Sequence, residues 1–191
     1  MTILIRYDFN VLKVYNIQFI VDNMNFKYSS YELSDIFKFL SNFKISEIFI
    51  NSLVTYPNVK ESIIEVIKLK EITHAKIILP VHDFFAVCPS YTLLNEKMNY
   101  CKVPIDYNIC MNCLNNSNNK NEFKIFEKET NISDWRKSWK NIIEVSDDIL
   151  CFSNSSKEIF LKAYPHNEEK IKVIPHDISG RYKKIYNPNK K

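Results

Sequence analysis

The sequence predicts an α/β fold: a mostly parallel sheet with helices on both faces and antiparallel strands at its N-terminal edge. From residue 31 onward, segments with helical spacing alternate with short apolar runs. Those runs are continuously apolar rather than half polar, which marks strands buried on both sides. Together they describe a Rossmann-like layer arrangement. The alternation is interrupted once, by a long Cys-containing insertion over residues 88–130, where periodicity is poor and Asn is abundant.

The elements follow in chain order. Ile3-Leu4-Ile5 and the run Val11 to Val21 read as strands, parted by a turn at Asp8-Phe9-Asn10. Ser29 and Glu32 have capping-box spacing, and Leu33, Ile36, Phe37 and Leu40 share one face, so a helix is expected over 31–43. Glu47 to Leu53 is a short apolar strand. Pro57 opens a second helix with Val59, Ile63, Val66 and Ile67 on its buried stripe. Lys76 to Val81 reads as a fully buried strand ending at His82-Asp83. After the insertion, Trp135, Trp139 and Ile142 lie on one helical face, and Asp148 to Phe152 is the next strand. Ser155 and Glu158 cap a helix carrying Ile159, Phe160 and Ala163. Ile171 to Ile174 is the last strand, stopped by Pro175. Residues 1–177 thus read as one domain, and 178–191 as a basic tail or the start of a linker.

Composition excludes several functions. The 191 residues carry 26 Lys and Arg against 22 Asp and Glu, a net charge of +4 and too mild for a nucleic-acid partner. No apolar run reaches the ~18 residues of a membrane span. Arg6 and Asp8 interrupt the apolar N-terminus, which argues against an export signal and for a cytoplasmic protein. The single glycine, Gly180, excludes a P-loop and a G-x-G-x-x-G fingerprint, because both need backbone N–H groups exposed to phosphate.

In open parallel sheets, ligands bind beyond the carboxyl ends of the strands. Three such ends carry polar groups here: Asn51-Ser52, His82-Asp83 and Ser153-Asn154-Ser155-Ser156. His82 can orient a hydroxyl or move a proton. Asp83 can serve as a base or hold the imidazole, and both residues have an equally simple reading as partners of a buried turn. Ser153 is placed to cap a helix whose free N-terminus could also receive an anion. No G-x-S-x-G elbow surrounds any serine. His176 stands where the chain leaves the last strand. Trp135 and Trp139, four residues apart, pack a helix onto the sheet more readily than they stack a sugar.

Cys88, Cys101, Cys110 and Cys113 follow the spacing C-x12-C-x8-C-x2-C. Four thiolates are a ligand set for structural zinc, and Cys110 and Cys113 form one knuckle of such a site. Zinc would also explain how so long a loop is held. The alternatives are four unrelated reduced thiols or a redox C-x-x-C pair. Cys151 lies within a strand.

One resemblance is specific. The block His82-Asp83-Phe84-Phe85-Ala86-Val87-Cys88-Pro89-Ser90 is followed by Leu93-Leu94-Asn95, Tyr100-Cys101, Pro104 and Cys110-x-x-Cys113-Leu114. With Ser133-Asp134-Trp135-Arg136-x-x-Trp139, Cys151 to Ser156, Val173-Ile174-Pro175-His176 and the segment Asn51 to Pro57, it resembles bacterial retaining glycosyltransferases of the two-Rossmann (GT-B) architecture. The likeness is to family 4 enzymes of polysaccharide biosynthesis and covers about residues 30–177. It implies the acceptor-side half of such an enzyme, in which His82, with Asp83 beside it, faces the donor sugar across the cleft. Ser153 would lie near the cleft floor, and Asn51, Ser52, Asn154 and His176 would line the substrate site. It further implies a nucleotide-sugar donor held mainly by a missing C-terminal domain. The acceptor would be a saccharide or lipid-linked, and the enzyme peripheral to the inner membrane. Many relatives carry a Gly-rich loop after the first strand, and this chain has none.

Three functions are therefore expected to compete: this transferase half, a zinc-stapled binding module on a Rossmann-like scaffold, and a thiol oxidoreductase. The last requires a low-pKa Cys110 or Cys113.

Overall fold

The computed structural model describes residues 1–22, 24–116 and 131–176. It opens with strands β1 (Thr2–Asp8), β2 (Val14–Val21) and β3 (Met24–Ser30), paired antiparallel in the order β1-β2-β3. Pairing of Thr2 with Ile20 and of Tyr15 with Ser30 fixes the two registers. Tyr15, Ile17 and Phe19 alternate onto the buried face of β2, as a half-buried strand requires. Where the sequence suggested antiparallel edge strands on the parallel sheet, these three form a sheet of their own. Met24–Ser30, which the sequence reading left unassigned, is its third strand. Its side chains are almost all exposed, so no buried stripe announced it.

Helix α1 (Leu33–Leu40) follows, shorter than expected, with Leu33, Ile36, Phe37 and Leu40 buried. Its N-cap is Glu32, which makes no side-chain cap. The expected capping box at Ser29 is not formed, because the Ser29 hydroxyl donates to Asn16 Oδ1 at 2.8 Å across the β2–β3 ladder. Strand β4 (Glu47–Phe49) leads to α2 (Val59–Thr73), where Asn58 Oδ1 caps by accepting from the Glu61 N–H at 3.0 Å. Strand β5 (Lys76–Val81) falls where the sequence placed it.

Within residues 88–130 lies a helix the sequence did not announce, α3 (Tyr107–Asn116), whose only buried residue is Cys110. So weak an apolar stripe explains why periodicity missed it. Residues 117–130 of the expected insertion and the expected tail at 178–191 lie outside the described residues. Helix α4 (Ile132–Val145) buries Ile132, Trp139, Ile142 and Ile143, then β6 (Asp148–Cys151) leads to α5 (Asn154–Ala163). The cap of α5 is Ser153, whose Oγ accepts from the Ser156 N–H at 3.1 Å, two residues earlier than the expected Ser155 cap. A 3-10 turn (Pro165–Lys170) precedes β7 (Ile171–Val173).

Strands β4, β5, β6 and β7 form a parallel sheet in that order. Parallel connections are right-handed, so an order without reversal carries its crossover helices on one face; α2 packs on α4 accordingly. A doubly wound sheet needs a reversal of strand order, and the four described strands have none. The expectation of helices on both faces thus finds no support in the strand order. One cluster of buried side chains joins the two sheets, running from Tyr15, Ile17 and Phe19 through α1 and α2 to Ile77, Ile149 and Phe160. Among the described residues, no helix is long and apolar enough to cross a membrane.

Candidate functional site at the carboxyl edge of the parallel sheet

Because β4 to β7 are parallel neighbours, the segments leaving their carboxyl ends lie along one edge. Asn51-Ser52 follow β4, His82-Asp83 follow β5, Phe152-Ser153-Asn154 follow β6 and His176 follows β7.

The first two segments interlock. Asp83 Oδ1 accepts from the Phe85 N–H at 3.0 Å, and its Oδ2 accepts from the Ser52 hydroxyl at 3.1 Å. The Ser52 oxygen also receives the Val54 N–H at 3.3 Å. His82 Nε2 lies 2.5 Å from the carbonyl oxygen of Asn51. A carbonyl can only accept, so Nε2 carries the proton. Nδ1 faces Asp83 Oδ2 at 3.8 Å, beyond hydrogen-bond distance. His82 and Asp83 are 33% and 25% exposed, so solvent and small solutes reach both.

This geometry assigns a chemistry. With Nε2 committed to Asn51, Nδ1 is the nitrogen left with a lone pair, which can accept a proton from a ligand hydroxyl. The imidazolium so formed would face the Asp83 carboxylate, itself held by two donors. Asn51 contributes its main chain rather than its side chain.

The other two segments form a separate group. Ser153 serves as the α5 cap, and its Oγ lies 2.9 Å from Ser156 Oγ. His176 stacks on Phe152 with ring centroids 4.2 Å apart and planes 10° apart, which draws the exit of β7 back against the end of β6. Asn154 is the exposed first residue of α5. Among the described residues no hydrogen bond links this group to His82-Asp83.

The chain after Asp83 is held by three side chains that the sequence reading did not assign to the site. Trp135 Nε1–H donates to the Phe85 carbonyl at 2.7 Å, the Tyr164 hydroxyl to that of Ala86 at 2.6 Å, and Arg136 Nε–H to that of Val87 at 3.0 Å. Three successive buried carbonyls thus find partners from α4 and the end of α5, where a loop would otherwise leave them orphaned. Trp135 and Trp139 also pack edge-on against Phe85, as expected of core rather than sugar-stacking residues. Tyr164 had no legible signal, since its partner lies 78 residues away. Trp139 Nε1 is buried without a hydrogen-bond partner, and the Trp139 residue lines a cavity of about 20 Å³ with Asn51, Ser52 and Asp83 among others.

Cys88, Cys101, Cys110 and Cys113 are all free thiols. Burial pushes the Cys88 thiol up to about 12, and the charges of Cys101, Cys110 and Cys113 add to that rise. Burial likewise raises Cys113 to about 11 and pushes Cys110 upward. Among the described residues, no three His, Cys, Asp or Glu side chains stand close enough to hold an ion as they are. Thiols raised by burial run against a redox C-x-x-C, which needs a stabilised thiolate.

A second concavity lies elsewhere: an open apolar groove of about 530 Å³ between the antiparallel sheet and α1, lined by Phe19, Phe26, Tyr28, Phe39 and Phe43 among others.

The chain matches no protein-family model, no curated protein and no solved structure.

Proposed function

We propose that the chain is the acceptor-side half of a retaining glycosyltransferase, with a Rossmann-like layer and the His82-Asp83-Ser52 cluster at its cleft. The donor would be a nucleotide-sugar held mainly by a second, C-terminal nucleotide-binding domain, and the acceptor a saccharide or lipid-linked saccharide at the cytoplasmic membrane surface. The observation that supports this reading is the His82 geometry: a part-exposed side chain, an Nε2 committed to the Asn51 carbonyl and a carboxylate facing Nδ1 at 3.8 Å. Such a group can orient a sugar hydroxyl and take up its proton. The position at a parallel-sheet edge supports the same reading, as does the alternation from β4 to β7.

A second reading, a non-catalytic binding module on the same scaffold, is favoured by the unreversed strand order, which lacks a switch-point crevice among the described strands.

Amide chemical-shift mapping of the chain with a panel of mono- and oligosaccharides tests both. The transferase reading expects shifts confined to residues 51–54, 82–86 and 152–154, abolished by His82→Ala without loss of fold. In the enzyme completed by its donor domain, the same substitution should lower turnover by about 10²–10⁴-fold. Saccharide shifts at this edge combined with wild-type turnover in His82→Ala would leave the binding module as the function.

A further inference from the structure

We propose that two copies of this chain pair along strand β3, joining their three-stranded sheets into one continuous sheet about a two-fold axis at Phe26. This rests on the antiparallel sheet alone and does not depend on the transferase reading.

The order β1-β2-β3 leaves β3 at an edge. Among the described residues, no backbone group of Met24–Ser30 bonds outside the β2–β3 ladder. Such a strand presents every second N–H and C=O outward, a template for one more strand. The opposite edge differs, because the Ile5 carbonyl of β1 accepts from the Tyr56 hydroxyl at 2.9 Å. Edges are commonly blunted by bulges, prolines or charges. Strand β3 pairs with β2 without a bulge, contains no proline and carries one charge, Lys27.

The side chains mark which face would be extended. Directly opposed residues of an antiparallel pair share a face, so Met24, Phe26 and Tyr28 lie with Val21, Phe19 and Ile17. Over β2 that face is covered: Ile17 and Phe19 are buried, and the Phe39 ring of α1 lies 6.0 Å from Phe19. Over β3 the cover stops. Met24 is 55% exposed, Phe26 45% and Tyr28 60%. Phe26 and Tyr28 form one wall of the open aromatic groove, with Phe39 and Phe43 on the other side.

A second copy fits this edge by register and charge. Antiparallel pairing of β3 with itself keeps the apolar face continuous when Phe26 lies on the axis and opposes its own copy. Met24 then opposes the partner's Tyr28, and Lys27 opposes the partner's Asn25. Apolar and aromatic pairs directly opposed stabilise a ladder, whereas like charges destabilise it. An axis at Lys27 would set two lysines against each other, and an axis at Tyr28 would set Phe26 against Ser30. The area is of the right order. An aromatic side chain carries about 150–250 Å², so the exposed parts of Phe26, Tyr28 and Phe39 amount to roughly 300 Å² per chain. Two copies bring roughly 600 Å² from these rings, to which Met24 and the paired backbone add, against about 1,000 Å² for a specific interface.

The test is the mass of the whole chain in solution by light scattering across a concentration series. Wild type is expected to reach twice the mass of one chain. Phe26→Lys and Phe26→Glu, each checked for fold by circular dichroism, should stay monomeric at the same concentrations. Because Phe26 opposes its own copy, mixing these two variants should restore the dimer through opposite charges at the axis. Ile64→Lys, at a 50% exposed position on α2, should dimerise as wild type does. Hydrogen exchange gives a reading free of variants: wild-type amides of β3 should gain protection with concentration, and those of β1 should not. A wild type that stays monomeric would overturn the proposal, whatever else fills the groove. So would a dimer that Phe26→Lys leaves intact, two folded variants that do not combine, or β3 amides whose exchange ignores concentration.

Discussion

The Ser52 hydroxyl donates to Asp83 Oδ2 at 3.1 Å, joining the exits of β4 and β5 across 31 residues of chain. Through that bond and the Phe85 N–H, both carboxylate oxygens of Asp83 are directed before any ligand arrives. The carboxylate is therefore held beside His82 Nδ1 rather than free to rotate.

Ser52→Ala removes this bond together with the acceptor for the Val54 N–H. The expected cost is about 0.5–1.5 kcal/mol in urea unfolding, since the site is half-buried and water can replace part of what is lost. Ligand-induced shifts at His82 should weaken in the same variant. An unchanged stability would mean that Asp83 is held by Phe85 alone.

Trp139 offers a contrast. Its indole N–H is buried and unpaired, so Trp139→Phe removes an orphan donor while giving up part of a buried ring. The two effects oppose, and stability should stay within about 1 kcal/mol of wild type. Ile142→Ala on the same helix, fully buried and apolar, should cost about 2–5 kcal/mol. Thermal denaturation of the pair checks the contrast, and a Trp139→Phe loss as large as that of Ile142→Ala would show that ring packing dominates.

The pH dependence should report Asp147. The Lys70 ammonium, 2.6 Å away, holds its carboxyl below the usual carboxylate range, and the Ile77 N–H at 2.8 Å adds to this. A lowered folded-state value makes the ionised form favour folding. That stabilisation is complete above the unfolded value of about 3.9 and is lost as pH falls through the lower folded value. Asp147 is 41% exposed, so the contribution should be below about 1 kcal/mol. Melting curves of wild type and Asp147→Asn should differ at neutral pH and converge in acid. Curves that stay parallel throughout would exclude the ion pair as the cause.

His74 ends α2 in the left-handed region at φ 56°, its N–H donating to the Lys70 carbonyl at 2.8 Å. Helices commonly end this way with glycine, which carries no Cβ penalty there. His74→Gly should therefore stabilise the chain by about 0.5–1 kcal/mol, read as a higher urea midpoint. Destabilisation would mean that the His74 side chain makes a compensating contact.

Local rules made much of the fold legible. Leu33, Ile36, Phe37 and Leu40 on α1, the apolar run of β5, and Trp139 with Ile142 on α4 repeat at their elements' periods, and all but parts of these are buried as the pattern required. Polar pairs at the ends of β4 and β5 located His82, Asp83 and Ser52. What the sequence could not show is non-local. Ser29 has capping spacing but bonds Asn16 across a ladder, and α3 buries a single residue, so neither obeys a local signal. The order β4-β5-β6-β7 and the separate β1-β2-β3 sheet depend on which strands pair, and hydrophobic period does not encode pairing. The tautomer of His82 depends on the Asn51 carbonyl 31 residues away. Only tertiary structure sets Trp135, Arg136 and Tyr164 on three consecutive carbonyls, because buried backbone groups take whichever donors folding brings within reach.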